Sequence, residues 1–346
     1  MLATDSYRVR RRPTSSCADA IEYVISMESR LRSFAVKVFG SRAIRAAAFA
    51  LAVARQRSLI LVYHRVLPDE EARRVGQNPI VPCVSASLLR QHIEFLKDVG
   101  EIVPLEELRR PTVRGAAGRG RVRFSVSFDD DEVSHVRHAL PIVEELHVPV
   151  TFFLSGRSLH GLGPPWWIVL ESEIERVGLE NVSAVLGVRA SSSAELAALI
   201  EGTPAASLIE ARFSQHVRVV QLSADDIARL AESPQSTTGF HTLGHQVLTS
   251  LSDVDVTHVL VHGRAALEGL SGLPVRCIAY PHGKADSRIA ALARTAGYTI
   301  GCQGLGRPVS AMSDPLRLAR WEPGPMPIDD LAANLALRLC LVAAAQ

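Results

Sequence analysis

Lysine is nearly missing from this chain of 346 residues: Lys37, Lys97 and Lys284 are its only examples, and almost all other positive charge is arginine. That bias reads as codon composition rather than function. The formal net charge is only +2 at pH 7, and no clustered basic face stands out beyond the N-terminus, so no nucleic-acid partner is expected. Cysteine is scarce as well. Cys17, Cys83, Cys277, Cys302 and Cys340 are odd in number and contain no Cys-x-x-Cys pair, which argues against a disulfide framework or a zinc ribbon and for a reducing compartment. No apolar run reaches the roughly 20 residues of a membrane span; the best covers residues 46–54. Arg8, Arg10, Arg11 and Arg12 are followed by a polar stretch, residues 13–18, where a signal peptide would have its apolar core. The expectation is a cytoplasmic protein.

Hydrophobic residues make up 47% of the chain and charged ones 21%, enough to build a sizeable core. The length suits one large domain with extensions. Residues 1–56 form an N-terminal extension in which 31–56 read as helix: Leu31, Phe34, Val38, Ile44, Ala48 and Leu51 recur at helical spacing among Arg30, Arg32, Lys37, Arg42, Arg45 and Arg55. Such a basic amphipathic stretch either packs on the outside of the main domain or makes peripheral contact with the anionic inner face of a membrane.

From Leu59 the pattern changes to short apolar runs between amphipathic helices. Strands are predicted at 59–63, 122–128, 150–154, 237–240, 276–280 and 298–302, with helices at 87–99, 134–146, from Ser223, 255–270 and 287–296. This alternation is that of a parallel sheet, open or closed into a barrel. Residues 160–220, with Pro164, Pro165, Trp166 and Trp167 near their start, read as a mostly helical insertion. The main domain covers 57–326, and 327–346 carry an Ala- and Leu-rich terminal helix.

Active residues of such folds sit where strands end. One apolar run ends in Asp129, Asp130 and Asp131, another in His241 with His245 four residues on, and a third in Pro281, His282 and Gly283. Two histidines one helical turn apart can face one way, and a carboxylate from a neighbouring strand completes a three-ligand metal site with open positions. Alone, the histidine pair also suits a helix start and the aspartates a solvated turn.

Together these segments resemble the polysaccharide deacetylase family over residues 59–325. Its Thr-Phe-Asp-Asp-Gly motif is similar to Ser127-Phe128-Asp129-Asp130-Asp131, and its His-Ser/Thr-x-x-His motif to His241-Thr242-Leu243-Gly244-His245. Ala139 to Ile142, Val150 to Leu154, and Ala279-Tyr280-Pro281-His282-Gly283 resemble its intervening and later segments.

The resemblance implies a distorted (β/α) barrel and a metal-dependent hydrolase that removes N-acetyl groups from an amino-sugar glycan or its precursor, with an N-acetylated sugar or oligosaccharide as partner. Asp130, His241 and His245 would hold a divalent ion, zinc by preference with cobalt or nickel as substitutes, and Asp129 would be the general base. Tyr280, Pro281 and His282 would lie beside the acyl group, with the backbone N–H of His282 on the oxyanion. The family's C-terminal Leu-x-His is absent, since Leu337-Arg338-Leu339 has leucine there. Leu61-Val62-Tyr63-His64-Arg65-Val66 instead looks like the opening of the permuted members, the poly-N-acetylglucosamine deacetylases among them, which makes His64 the candidate acid. Asp131 replaces the motif's glycine, as a turn residue or added charge. Ala279 replaces an arginine that orients the base, and Arg320 is the candidate to supply that charge. Trp167, with Trp166, would line the sugar cleft or pack the insertion. The competing functions are deacylation or deformylation of a non-carbohydrate amide and an inactive glycan-binding relative.

Overall fold

A computed structural model describes residues 30–75, 79–110, 120–201, 203–214, 217 and 221–341. The strands are β1 (Ser58–Tyr63), β2 (Arg65–Leu67), β3 (Cys83–Ser85), β4 (Gly100–Ile102), β5 (Val122–Asp129), β6 (Val150–Leu154), β7 (Ser236–Phe240), β8 (Cys277–Ala279), β9 (Ile300–Gln303) and β10 (Leu318–Trp321). Seven of them close a parallel barrel in the order β1-β10-β9-β8-β7-β6-β5, sealed by pairing of β1 with β5 from Ser58↔Arg123 to Tyr63↔Phe128. β4 adds to the start of β5, where Gly100 faces Val122, and β2 and β3 form a separate parallel pair.

Strand alternation divides the side chains into two layers. Leu59, Leu61, Tyr63, Phe124, Val126, Phe128, Val150, Phe152 and Leu154 belong to the large cluster shared with the surrounding helices. Ile60, Phe153, Cys277, Ala279, Ile300, Cys302 and Leu318 form a second, smaller cluster that fills the barrel. Continuing the second alternation to the strands' C-terminal ends brings Asp129, His241 and Arg320 into the barrel mouth, because each lies an even number of residues from an inward neighbour.

Several elements differ from the sequence reading. The helix expected over 31–56 is two, residues 30–39 and Arg42–Ala54, separated at Gly40 and Ser41. Their inner face, with Ala35, Phe39 and Ala48, packs on Ala333, Ala336 and Leu337 of the C-terminal helix Ile328–Cys340. The helix after the aspartates begins with a π-helical turn, His135–Ala139, before Leu140–Glu145. In the insertion, Trp166–Val177, Leu179–Leu186, Ser193–Ile200 and Pro204–Phe213 are helices with their own core around Val169, Leu170, Leu196 and Ile209. Residues 1–29 of the N-terminal extension, 342–346 of the terminal helix, and 202, 215–216 and 218–220 of the insertion lie outside the described residues.

Candidate active site

The first carboxylate at the barrel mouth, Asp129, ends β5 and is buried. Arg320 reaches across from β10 with a two-pronged contact, Nη1 to Oδ1 at 2.6 Å and Nη2 to Oδ2 at 2.5 Å. A third bond, from Nη1 to the Ser127 hydroxyl at 3.2 Å, fixes the guanidinium against the strand. Burial alone would raise the Asp129 carboxyl, but the Arg320 charge, helped by His241, outweighs it and holds the group well below the usual carboxylate range. Asp129 is therefore ionised at any physiological pH, and Arg320 leaves outer lone pairs of its oxygens available.

Asp130 turns the other way because its backbone is left-handed, with φ at 75°. Its carboxyl is pushed up by burial, against the pull of His241 and His64. Oδ1 lies 3.6 Å from Nε2 of His241 and 3.8 Å from Nε2 of His245. One ligand atom from each of Asp130, His241 and His245 lies within 4.8 Å of the others. Donors about 2.1 Å from a tetrahedral ion are roughly 3.4 Å apart, so small side-chain adjustments would bring this set onto one cation.

The histidine chemistry fits as well. Nδ1 of His241 donates to the Ala279 carbonyl at 2.9 Å, which leaves the Nε2 lone pair pointing at Asp130. Burial, followed by the neighbouring His241 and His282, lowers His245 well below the ordinary imidazole value and keeps it neutral. The pair does not occupy a helical turn as expected from its spacing. Residues 241–245 are a tight turn in which Thr242 and His245 have φ of 62° and 49°. With Asp130 and His282 (φ 57°), four non-glycine residues at this one site adopt a sparsely populated backbone conformation, as functional sites tolerate when their surroundings impose it.

The motif's third aspartate is neither the left-handed residue nor a charge turned toward the site. Asp131 accepts from Ser155 N at 2.7 Å, Ser155 Oγ at 2.5 Å and Arg157 N at 3.1 Å. It anchors the loop leaving β6, where a glycine could not.

His64, just past β1, donates from Nδ1 to Oε1 of Glu322 at 2.8 Å. Burial works against its charge, but the Glu322 carboxylate, with Asp130 and Asp129 behind it, holds His64 up at about 10. The segment after the aspartates fixes it from below: Nε2 of His135 meets the His64 carbonyl at 2.9 Å, and Val66 N donates to Ser134 Oγ at 3.1 Å. Glu322 escaped the sequence reading. The signal was present, because it lies two residues past Arg320 at the end of β10 and so points into the same mouth.

His282 donates from Nε2 to the His245 carbonyl at 3.2 Å and pairs through Nδ1 with Glu201, at the end of the insertion helix Ser193–Ile200. Glu201 is a second residue the sequence did not reveal, since nothing local marks a helix-terminal glutamate as reaching the barrel. Trp167 lies against His245, ring centres 4.5 Å apart, and edge-on to Trp166, which packs with the insertion core. Tyr280 is committed elsewhere. Its side chain is in the outer core and its hydroxyl donates to the Leu316 carbonyl at 2.9 Å, so the chain around it, with buried Pro281, forms the wall. A cavity of about 1090 Å³ opens over Asp129, Asp130, His64, His241, His245 and Trp167.

The family model described as polysaccharide deacetylase matches residues 119–301. No curated protein sequence matches closely enough to count as a relative. Among solved structures, the Streptococcus pyogenes deacetylase PplD in complex with acetate superposes with a TM-score of 0.55 at 16% identity, over 82% of this chain and 98% of the other. BC0361, a polysaccharide deacetylase from Bacillus cereus, gives 0.51 at 17% identity over 81% and 69%. IcaB from Ammonifex degensii gives 0.50 at 18% identity over 82% and 97%. At these identities the likeness establishes the barrel fold.

Proposed function

Because the chain belongs to the polysaccharide deacetylase family, we propose that it hydrolyses the N-acetyl group of an amino-sugar glycan or glycan precursor, with Asp129 as base and His64 as acid. One observation carries the reading. An ionised, arginine-held carboxylate, a two-histidine and one-aspartate ligand set and a carboxylate-paired histidine face the same cavity from four different strand ends.

Asp130, His241 and His245 are the residues to hold a divalent cation, and zinc suits two imidazoles and one carboxylate. When bound, the ion supplies Lewis acidity that polarises an amide carbonyl and makes water a better nucleophile. The remaining work falls to the chain. Asp129, kept ionised by Arg320, takes a proton from the attacking water as its oxygen bonds to the acyl carbon. The backbone N–H of His282 is the candidate donor to the oxygen that becomes negative. His64 then gives its proton to the nitrogen as the carbon–nitrogen bond breaks, releasing acetate and a free amino sugar. Trp167 offers a flat face to the sugar ring.

The test is acetate release from N-acetylated oligosaccharides and sugar precursors by zinc-loaded protein, beside chelator-treated protein and D129N. Release that needs both the ion and Asp129 is expected. Metal-loaded protein that stays silent on every N-acetyl sugar but cleaves another amide would overturn the substrate class.

A further inference from the structure

The N-terminal helices, residues 30–39 and Arg42–Ala54, carry an outer surface that the barrel does not use. Both turn one face inward, where Ala35, Phe39 and Ala48 are buried with Ala333, Ala336 and Leu337 of the C-terminal helix. Because both rest on that helix, their opposite faces look away from the protein together. By helical periodicity the outward face of the second helix is Ala43, Ala47, Ala50 and Ala54, flanked by Ile44 and Leu51. Between Arg45 and Arg55 this segment contains no polar side chain. A helix that is apolar on all sides is normally buried, yet Ile44 is 45% and Leu51 40% exposed. The first helix turns Arg30, Phe34 and Lys37 outward, with Val36 and Val38 at the edges of that face, and Phe34 is 51% exposed.

Charge decides what fits this surface. Between Glu28 and Asp69 the chain has no acidic residue. Arg30, Lys37, Arg42 and Arg55 are exposed, and among the described residues no carboxylate pairs with them. Arg45, by contrast, is tied down by the Gly40 carbonyl at 3.1 Å and by Asp329 at 3.9 Å. The exposed cations stand beside and at the ends of the apolar stripe, so their aliphatic stems can follow an apolar phase while the charged heads reach anions at its boundary. A second copy of the chain suits the face poorly, since a two-fold interface would set its cations against themselves. No described helix is long and apolar enough to cross a membrane, so the pair would lie along a surface.

We infer that the outer face of residues 30–55 docks on an anionic membrane surface, with Phe34, Ile44 and Leu51 entering the headgroup boundary and Arg30, Lys37 and Arg42 on the lipid phosphates. This goes beyond the deacetylase reading and does not depend on it. Leu31 and Arg32 of the first helix line the catalytic cavity, so the docked helix borders the cleft.

Sedimentation of the full-length, zinc-loaded protein with lipid vesicles tests the surface apart from catalysis. Vesicles of equal parts phosphatidylcholine and phosphatidylglycerol should bind at least about tenfold more tightly than phosphatidylcholine alone, and the difference should shrink as salt is raised. Each cation at such a surface strengthens binding about fivefold, so R30Q/K37Q/R42Q should lose about 100-fold on the mixed vesicles. F34S/I44S/L51S should lose at least about tenfold on the same vesicles. Both variants should keep wild-type zinc affinity, which separates a lost surface from a lost fold. As a readout that leaves the charges intact, the indole added in F34W should shift its emission to the blue with mixed vesicles and not with neutral ones. No binding, equal binding to the two kinds of vesicle, or wild-type binding by either triple variant would overturn the proposal. A dimer in lipid-free solution that F34S/I44S/L51S dissociates would also overturn it and assign the face to a second copy.

Discussion

Replacing Glu322 by glutamine should move the basic limb of the pH profile while leaving the metal ligands in place. Glutamine keeps a hydrogen-bond acceptor beside Nδ1 of His64 but removes the negative charge that outweighs burial there. A divalent ion bound at Asp130 offsets much of the remaining support from the aspartates, so the His64 value should fall from about 10 to near or below 6.5. At pH 8 the protonated fraction of the acid then drops from nearly all to roughly 3%, lowering kcat about 30-fold, whereas at pH 6 the loss stays below about twofold. Stability follows the same linkage. A histidine whose folded value is raised stabilises the fold fully below its unfolded value of 6.5, and that contribution disappears as pH rises through about 10. With His64 and Glu322 21% and 32% exposed, solvent screening reduces the effect to about 2–3 kcal/mol near neutrality. The assay is kcat against pH for wild type and E322Q, with urea unfolding at the same pH values. A basic limb that does not move would refute the assignment of His64 as the acid held by Glu322.

Other substitutions probe the frame. H241Q should weaken zinc binding at least about 100-fold, measured by competition with a chromophoric chelator, while E322Q retains wild-type affinity. D131A removes an acceptor for Ser155 and Arg157; it should cost about 2–4 kcal/mol in urea unfolding, and an unchanged midpoint would show that the loop after β6 is held by other contacts. G239A would drive a Cβ into the fully buried ring of Phe153. The expected loss is about 1–3 kcal/mol, accompanied by weaker zinc binding because His241 lies two residues on along the same strand end.

Asp129, Asp130, His241 and His245 were legible because each terminates an apolar run, and strand ends are where a parallel barrel exposes its polar residues. His64 and Arg320 came instead from the family resemblance, as stand-ins for the absent C-terminal histidine and for the arginine that Ala279 replaces. Glu322 was legible by the strand-end rule and was passed over because Trp321 ends the apolar run one residue earlier. Glu201 was not, since its approach to His282 depends on how the insertion folds back. The helical reading of His241 and His245 failed for a local reason. A four-residue spacing is compatible with a helix, but only the left-handed Thr242 and His245 place both rings against Asp130.

By itself the sequence determined the alternation of strands and helices, the split between outer and inner side chains, and which residues end the strands, because these depend on local periodicity. Tertiary structure decided that β1 pairs with β5 and closes the barrel, that Arg320 neutralises Asp129, and that Asp131 secures a loop instead of adding charge to the site. It also decided that the N-terminal helices turn one face onto Ala333, Ala336 and Leu337 and leave the other outward. Those relations join residues far apart in the chain, and no pattern in neighbouring residues encodes which distant charge will meet which.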